Sequence, residues 1–511
     1  MLEINSLPRD MLMEVFRWLP PQDIKMAVLV SKKWMSLAED PNLWKWTKVT
    51  VKNRDDINML FGKRINQTEV IRIGASANWK AEDWETFFRA VIMLPKLKEI
   101  VGTGHNTNIL SDTTLHNMWS VKPGLFAMAL TKLEVVNLYG TSIHKGQITE
   151  LFEAMSRNSQ LKKLNLRCQN LSCMEPGKFA RAVAGLEEVK LTHTDITNRH
   201  VQALFKKIYQ TCQLKHLDIR CCANILTSVE PDLFAMVVSK LEVAILYGTG
   251  LSDNQITALC RVISQSSNLK KLWIQDQGLS CVEPKQLAMA ITKIENVGMS
   301  GTYITRDQQV ELFNQMDRNS QIKSLDLGGL TLSDVEPILF ASVLARLEYV
   351  NLQDAVITNM QKAELFSEVC QSTTLRKLKC WNMELSSVDS EILGTAVARL
   401  EEVDIGHTEL THEQLISIIT HAQGETRLKK LTLSPYRMIR WNMWEVLWNT
   451  RAVLGDIIWL GLIKLNDYFD YIALDWLGSN ENWDEQDSNE QDSDDESDGG
   501  LELNDRLADL E

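Results

Sequence analysis

Hydrophobic residues recur along the middle of the chain in a fixed two-part pattern. A segment of the form LxxLxL begins at six positions that are 53, 55, 53, 53 and 53 residues apart: Leu161, Leu214, Leu269, Ile322, Leu375 and Leu428. A second series begins 28 residues ahead of each of these, at Leu133, Leu186, Leu241, Ile294, Leu347 and Leu400. The alternating apolar positions predict a short strand in each unit, and the stretch that follows each strand predicts a helix.

The predicted helices are of two kinds. One kind carries apolar residues at i, i+3, i+4 and i+7, as at Ile148, Leu151, Phe152 and Met155, which gives a single apolar stripe. The other kind opens with proline in five repeats: Pro123, Pro176, Pro231, Pro284 and Pro337. Proline suits a first helical turn because that N–H has no partner within the helix. The pattern therefore predicts an α/β protein with one strand and one helix in each unit.

The repeated units resemble leucine-rich repeats of the ribonuclease-inhibitor-like type, over about residues 68–434. That resemblance implies a solenoid shaped like a horseshoe, with a parallel sheet on the concave side and helices on the convex side. We assign residues 51–435 to these repeats.

The N-terminal segment has a different apolar pattern. It resembles the F-box in four places: Leu7-Pro8, Leu19-Pro20-Pro21, the run from Val30 to Trp34, and Leu43-Trp44. We assign residues 1–50 to a small all-α F-box. A unit of about 40 residues has too little interior to bury all of its apolar side chains, so some of them are expected to face a partner. The resemblance implies a Skp-family adaptor as that partner, and through it a cullin. The predicted adaptor-binding residues are Leu7, Pro8, Leu12, Phe16, Leu19, Trp34, Leu43 and Trp44.

Two further segments follow the repeats. Residues 436–478 are rich in tryptophan and are predicted to cap the last repeat, because terminal repeats need their exposed core covered. Residues 479–511 are predicted to be a disordered acidic tail, because they carry too few apolar residues to form a core.

Charge is distributed very unevenly along the chain. Residues 481–511 hold 14 acidic side chains and one arginine, whereas the first 480 residues hold 53 basic and 53 acidic ones. A neutral body gives no support for a nucleic-acid partner. The apolar run at 457–463 is far shorter than the roughly 20 residues needed to span a bilayer, so we also predict no membrane partner. Nine scattered cysteines without a CxxC pair favour reduced thiols and hence the cytoplasm or the nucleus.

One regularity concerns the residue after the first leucine of each unit. It is acidic in one series, at Glu134, Glu187, Glu242, Glu295, Glu348 and Glu401, and basic in the other, at Lys162, Lys215, Lys270, Lys323, Arg376 and Lys429. If consecutive units are neighbours in a parallel sheet, each acid lies between two bases. We interpret these as pairs that fix the register and keep the surface soluble.

No motif for catalysis or metal binding is present in the sequence. The nine histidines form no HExxH motif, and Cys168 and Cys173 have no matching second pair for zinc. We therefore predict a protein that is not an enzyme and needs no cofactor or metal. Its function is expected to depend on binding surfaces.

Strand residues between the buried leucines are the candidates for binding a protein substrate. Tyrosine, tryptophan and arginine dominate interface hot spots. The predicted substrate-binding residues are Tyr139, Arg167, Arg220, Tyr247, Trp273 and Trp381. Gly298, Gly328 and Gly406 are expected to leave a flatter surface beside them.

Taken together, the two resemblances imply a substrate-recognition subunit of an SCF (Skp–cullin–F-box) ubiquitin ligase. The alternative is a repeat protein outside the ligases, an inhibitor or a sensor, in which the N-terminal segment only caps the repeats.

Overall fold

The structure is a computed structural model that describes residues 7–19, 21–46, 49–61, 67–74, 79–103, 120–139, 143–222, 225–408, 410–422, 426–433 and 463–465. The predicted cap at 436–478 lies outside the described residues except for 463–465, and the predicted acidic tail lies wholly outside them. The chain divides into two compact units. The first comprises Met1–Gly298 and Thr302–Gln308, and the second Met299–Gly301 and Gln309–Glu511.

The first unit begins with four short helices: α1 (Arg9–Trp18), α2 (Pro21–Ala27), α3 (Lys32–Ala38) and α4 (Pro41–Trp46). The Ser31 hydroxyl accepts a hydrogen bond from the backbone N–H of Trp34 at 3.1 Å, which caps the start of α3. The Phe16 ring packs edge-on against Trp34, with the ring centroids 5.2 Å apart. Leu12, Phe16 and Leu37 are completely buried. The prediction of a small all-α segment is therefore confirmed as far as Trp46, whereas Val49 and Thr50, which were assigned to that segment, begin the first strand of the sheet.

Ten parallel strands follow one another in chain order through the rest of the first unit. They are β1 (Val49–Val51), β2 (Val70–Gly74), β3 (Glu99–Thr103), β4 (Val135–Asn137), β5 (Lys163–Asn165), β6 (Glu188–Lys190), β7 (His216–Asp218), β8 (Val243–Ile245), β9 (Lys271–Trp273) and β10 (Asn296–Gly298). Their helices are α5 (Arg54–Met59), α6 (Ala81–Met93), α7 (Pro123–Thr131), α8 (Lys145–Arg157), α9 (Pro176–Ala184), α10 (Asn198–Thr211), α11 (Pro231–Val238), α12 (Asp253–Gln265) and α13 (Pro284–Ile291).

Helix α14 (Arg306–Arg318) crosses the boundary between the two residue ranges. The second unit contains the parallel strands β11 (Ser324–Asp326), β12 (Tyr349–Asn351), β13 (Lys377–Lys379), β14 (Glu402–Asp404), β15 (Lys430–Leu433) and β16 (Ile463–Leu465). Its helices are α15 (Pro337–Ala345), α16 (Asn359–Gln371), α17 (Ser390–Arg399) and α18 (His412–Ala422).

The strands are in the register that the leucine pattern requires. Leu164 pairs with Val189, and the row continues through Leu217, Ala244 and Leu272, all of which are buried. Four of the five helices that open with proline bury a phenylalanine, as in α11, where Phe234 stacks on Phe205 of α10 at 5.8 Å; α13 buries Leu287 instead. The predicted α/β fold, with one parallel strand and one helix per unit, is confirmed.

A row of buried glutamines was not predicted from the sequence. Gln308 accepts from the backbone N–H of Thr305 at 2.8 Å and donates to the carbonyls of Leu279 and Val282 at 2.8 and 2.6 Å. Gln255, Gln361 and Gln414 each donate to two carbonyls of the preceding repeat in the same way. The amide therefore joins one repeat to the next through its core.

Backbone conformation repeats as strictly as side-chain type. The seventh residue after the first leucine of a repeat has a positive φ in ten consecutive repeats. These residues are Cys168, His193, Cys221, Gly248, Asp276, Gly301, Gly329, Asp354, Asn382 and His407. Only three of the ten are glycine, although the left-handed region disfavours every residue that has a Cβ. The turn that follows each strand is therefore set by its place in the repeat.

Several of the alternating acids and bases form the expected ion pairs. The Glu242 carboxylate lies 4.0 Å from Lys215 Nζ and 3.1 Å from Lys270 Nζ. In the second unit Glu401 lies 3.6 Å from the Arg376 guanidinium and 2.6 Å from Lys429 Nζ. The hydrogen bond from Lys270 lowers the pKa of Glu242, and the one from Lys429 lowers the pKa of Glu401. These acids therefore lie between two bases, as the sequence predicts.

Candidate functional site

An apolar stripe runs along the solvent side of α1. Met11, Val15 and Trp18 are spaced i, i+4 and i+7 and are 55%, 41% and 87% exposed. The opposite side of the same helix buries Leu12 and Phe16. A surface helix normally turns polar residues to water, so an apolar stripe on the exposed side marks a candidate contact surface.

Further apolar side chains are exposed in the next two helices of this segment and in the turn between them. They are Met26 on α2, Leu29 and Val30 in the turn, and Met35 on α3. We call these four side chains, together with Met11, Val15 and Trp18, the N-terminal apolar surface. Large apolar side chains exposed together in so short a segment indicate a place for a protein partner.

Four of the predicted adaptor contacts are core residues instead. Leu12, Phe16 and Leu43 have no exposed surface and Trp44 is 2% exposed. The Trp44 indole N–H donates to the Ala38 carbonyl at 2.8 Å, which satisfies its only polar group inside the segment. Their assignment as contact residues is corrected, because a side chain without accessible surface packs the module and offers nothing to a partner.

The other four predicted contacts retain accessible surface. Pro8 is exposed, and Leu7, Leu19 and Trp34 are half-buried. The Leu7 carbonyl accepts a hydrogen bond from Lys33 Nζ at 2.9 Å, which ties the start of α1 to α3. These residues remain predicted contacts.

An ion pair holds the start of α1 to the residue just before α4. The Arg9 guanidinium lies 2.6 Å from a carboxylate oxygen of Asp40. The backbone N–H of Asn42 donates to that carboxylate at 2.9 Å and, together with Arg9, lowers the pKa of Asp40. The pair helps fix the direction in which α1 presents its exposed stripe.

The second candidate surface lies on the strands of the first unit. In each repeat the side chains two, four and six residues after the first leucine lie on the side of the strand away from the core, and we call these positions the strand face. Tyr139 and Arg167 occupy the strand face in neighbouring repeats, and the Arg167 guanidinium carbon lies 5.2 Å from the centre of the Tyr139 ring. Such a contact orients the guanidinium but leaves its charge in place.

Arg220 is held rigidly by its own repeat. Its Nε and Nη2 donate to the two carboxylate oxygens of Asp218 at 3.0 and 2.9 Å. The Thr192 hydroxyl donates to the same carboxylate at 2.9 Å. Asp218 is buried, so Arg220 presents a fixed, paired guanidinium at the surface.

Tyr247 and Trp273 extend the same face. Burial chiefly raises the pKa of Tyr247, and the carboxylate of Asp276 raises it further, so the phenol is protonated at neutral pH. Lys271 Nζ lies 5.1 Å from the centre of the Trp273 ring. The structure thus places Tyr139, Arg167, Arg220, Tyr247 and Trp273 on the strand face of one unit.

Trp381 belongs to the second unit and has different neighbours. Its ring lies 4.5 Å from the His407 ring. A Cβ at Gly406 would meet this indole at 2.7 Å, just as a Cβ at Gly298 would meet Trp273 at 2.7 Å. The prediction that glycines leave a flatter surface is corrected for these two positions, because each glycine makes room for the tryptophan of the preceding repeat.

Gly328 has a different reason for lacking a side chain. An added Cβ there would lie 2.8 Å from the Ser300 hydroxyl and 3.2 Å from the Gln353 carbonyl. The space above Gly328 is therefore already filled by Ser300 and Gln353. The prediction of a flatter surface is corrected at this position too.

Two observations on the described residues concern metal binding and thiol chemistry. No group of three metal-ligating side chains occurs among the described residues. Burial raises the pKa of Cys260 to about 12, and burial likewise raises the pKa of Cys222. Thiols held in the protonated form are poor nucleophiles. Within the described ranges no helix is both long enough and apolar enough to cross a bilayer.

Residues 4–47 match the model of the F-box-like family. The N-terminal segment is F-box-like. No curated protein matches the chain. A solved structure, that of the Rad7 and Elc1 complex in yeast, is similar at 13% sequence identity, over 73% of this chain and 86% of that chain, with a TM-score of 0.33. The fold and the surfaces described above therefore rest on this chain's own geometry.

Proposed function

We propose that this protein is a substrate-recognition subunit of a cullin-type ubiquitin ligase. The F-box-like segment docks a Skp-family adaptor, the adaptor connects it to a cullin, and the repeats hold a protein client. The chain makes and breaks no covalent bond. Its contribution is to raise the effective concentration of the client near the ubiquitin-charged enzyme.

The observation that carries this proposal is the apolar stripe of α1 inside the matched residues 4–47. Trp18 alone leaves 87% of its surface in water. Tryptophan is the side chain most enriched in interface hot spots, and its burial against a partner provides a large favourable contact area. The exposed stripe therefore supports a docking function better than a purely structural one.

The client is proposed to bind the strand face of the repeats. Tyr139, Arg167, Arg220, Tyr247 and Trp273 support this because they combine large aromatic area with oriented guanidinium groups. Trp381 is proposed as a separate contact on the second unit. The specific repeat type, ribonuclease-inhibitor-like, likewise remains a prediction from the sequence.

Capture of a purified Skp-family adaptor by the full chain tests the proposal. Trp18→Glu places a charge at the most exposed position of the stripe, and we expect at least about a tenfold loss of capture because a buried, unpaired charge opposes docking. Leu7→Ala combined with Pro8→Ala should weaken capture less, since these residues lie at the start of α1.

Met360→Glu is the matched control. Met360 is also a strongly exposed apolar residue, 69% exposed, but lies on α16 of the second unit. It should leave capture unchanged, and none of the three variants should shift the melting temperature appreciably. If Trp18→Glu captures the adaptor as well as the parent does, the ligase proposal is wrong.

A second candidate function is that of an inhibitor or a sensor. In such a repeat protein the N-terminal segment would only cap the sheet. It is favoured by one contact: the Thr68 hydroxyl donates to the Trp44 carbonyl at 3.4 Å, which links α4 to the residues just before β2. A cap needs no exposed stripe, so unchanged capture in the Trp18→Glu variant would favour this candidate.

A further inference from the structure

The strand face of the first unit carries an excess of positive charge. Over β5–β9 its positions hold five basic side chains, Lys163, Arg167, Lys190, Arg220 and Lys271, and two acidic ones, Glu188 and Asp218. The corresponding positions of β11–β14 in the second unit hold two basic and three acidic side chains. Because the first 480 residues are neutral overall, the excess on β5–β9 is a local separation of charge.

The two acids at these positions already interact within the face, and a third acid, Asp276, lies beside Tyr247 one residue beyond the last position of β9's repeat. Asp218 is buried and accepts hydrogen bonds from Thr192 and Arg220, so its charge is balanced locally. The single carboxylate of Glu188 lies 3.0 Å from Lys163 Nζ and 4.0 Å from Lys190 Nζ. One carboxylate cannot neutralise two ammonium groups, so the face keeps a net positive charge.

The remaining cations stand next to aromatic rings. Arg167 lies over Tyr139, and Lys271 lies over Trp273. A ring orients a cation without neutralising it, and its face also provides apolar area. The strand face therefore alternates oriented positive groups with surfaces that can pack against the carbon atoms of a peptide.

We propose that β5–β9 bind an extended acidic peptide segment of the client, through carboxylates that pair with Arg167, Lys190 and their basic neighbours. This inference rests on the proposed function and specifies the chemistry of its client. Neighbouring strands lie about 4.8 Å apart, so Arg167 after β5 and Arg220 after β7 are about 10 Å apart. An extended chain covers that distance in about three residues. Acidic residues spaced two or three apart therefore fit the face.

Equilibrium binding of fluorescein-labelled peptides to the full chain, followed by anisotropy, tests this. The probe is a twelve-residue peptide of alternating glutamate and alanine, and the matched probe carries glutamine in place of every glutamate. We expect saturable binding of the glutamate peptide that weakens as ionic strength rises, and no saturable binding of the glutamine peptide. Equal binding of the two peptides would overturn the proposal.

The chain offers a matched pair of charge reversals. Lys190 in β6 and Lys379 in β13 occupy the same position of their repeats, four residues after the first leucine. Lys190→Glu and Arg167→Glu should each weaken binding of the glutamate peptide by about tenfold, whereas Lys379→Glu should change it by less than about twofold. An equal loss in Lys190→Glu and Lys379→Glu would also overturn the proposal. Melting temperatures verify that each variant is folded.

Other occupants of this face give different results. Binding that appears only when the chain is ended at residue 478 would assign the face to the chain's own acidic tail, and binding of a phosphoserine peptide without the glutamate peptide would assign it to phosphate. Either result overturns the proposal. Adaptor capture is measured on the same variants, so a chain that captures the adaptor but binds no acidic peptide loses this inference and keeps its docking function.

Discussion

Helices α1 and α10 show how differently the F-box-like segment and the repeats use apolar residues. In α10, Val201, Leu204 and Phe205 are buried, and the opposite side carries polar residues such as Gln202 and Lys206. In α1, one side is buried through Leu12 and Phe16 while the other side is apolar and exposed. The repeat helix buries its apolar side in its own and the neighbouring repeats, whereas α1 has a second apolar side that is exposed among the described residues.

The difference follows from how each region is stabilised. Every internal repeat is covered by a neighbour on both sides, so the apolar residues of its repeating pattern can be buried. The F-box-like segment occurs once and is too small to bury all that it carries. The apolar residues of the repeating pattern therefore form core, and exposed ones such as Met360 are scattered among the repeats, whereas those of α1 form a stripe on one side of one helix.

The largest effects are expected where the two sides of α1 are compared directly. Phe16→Ala removes a fully buried ring and should cost about 3–5 kcal/mol, whereas Val15→Ala on the exposed side should cost less than about 0.5 kcal/mol. Hydrogen exchange of the full chain, resolved by peptide, measures the loss of protection in α1–α4. Equal costs at the two positions would show that the sides of α1 are wrongly assigned.

Phe234→Ala provides the corresponding deletion in a repeat. Phe234 is also completely buried and stacks on Phe205. Its loss should lower protection in α10, α11 and the strands beside them by a similar free energy, while α1–α4 stay protected, because solenoid repeats are stabilised mainly by their neighbours. If α1–α4 lost protection to the same extent, the two regions would be one cooperative unit and the comparison would be invalid.

An intermediate effect is expected for the glutamines that join repeats. Gln308→Leu leaves the Leu279 and Val282 carbonyls and the Thr305 N–H without their buried partner, which should cost about 2–3 kcal/mol in urea unfolding. The adjacent Gln309 lies outside this bridge, although its side chain is also buried. A cost below about 0.5 kcal/mol would mean that water replaces the amide and that the bridges do not hold the repeats together.

His200 supplies the control for that experiment. It occupies the glutamine position in its repeat, with Nε2 donating to the Met174 carbonyl at 2.9 Å and Nδ1 accepting from the Thr197 N–H at 3.2 Å. His200→Gln should change the free energy of unfolding by less than about 1 kcal/mol, because the amide can make the same two bonds. A large loss would show that the position is specific to histidine.

The repeats could be predicted from sequence far better than the sites. The strand register at Leu164 and Leu217 follows from apolar spacing alone, because the same pattern recurs and a shift of one residue would expose every leucine. Phe16 and Trp44 were misassigned because a single copy of a segment contains no repeated evidence for which way a side chain turns. Gln308 was overlooked although its 53-residue spacing matches the leucines, since glutamine is ordinarily an exposed residue.

The smallest effect on stability is expected at the residue with positive φ in the turn after each strand. His193 has a φ of 54° and Gly248, at the same position two repeats later, has a φ of 63°. His193→Gly removes the Cβ strain but adds freedom to the unfolded chain, so we expect a gain of up to about 1 kcal/mol. Gly248→Ala should cost about 1 kcal/mol, because its added Cβ has only ordinary contacts at 3.7 Å or more and backbone strain alone opposes it. Urea midpoints at constant slope measure both, and the same sign for the two changes would show that side-chain contacts, and not the repeat's backbone, decide which residue the turn accepts.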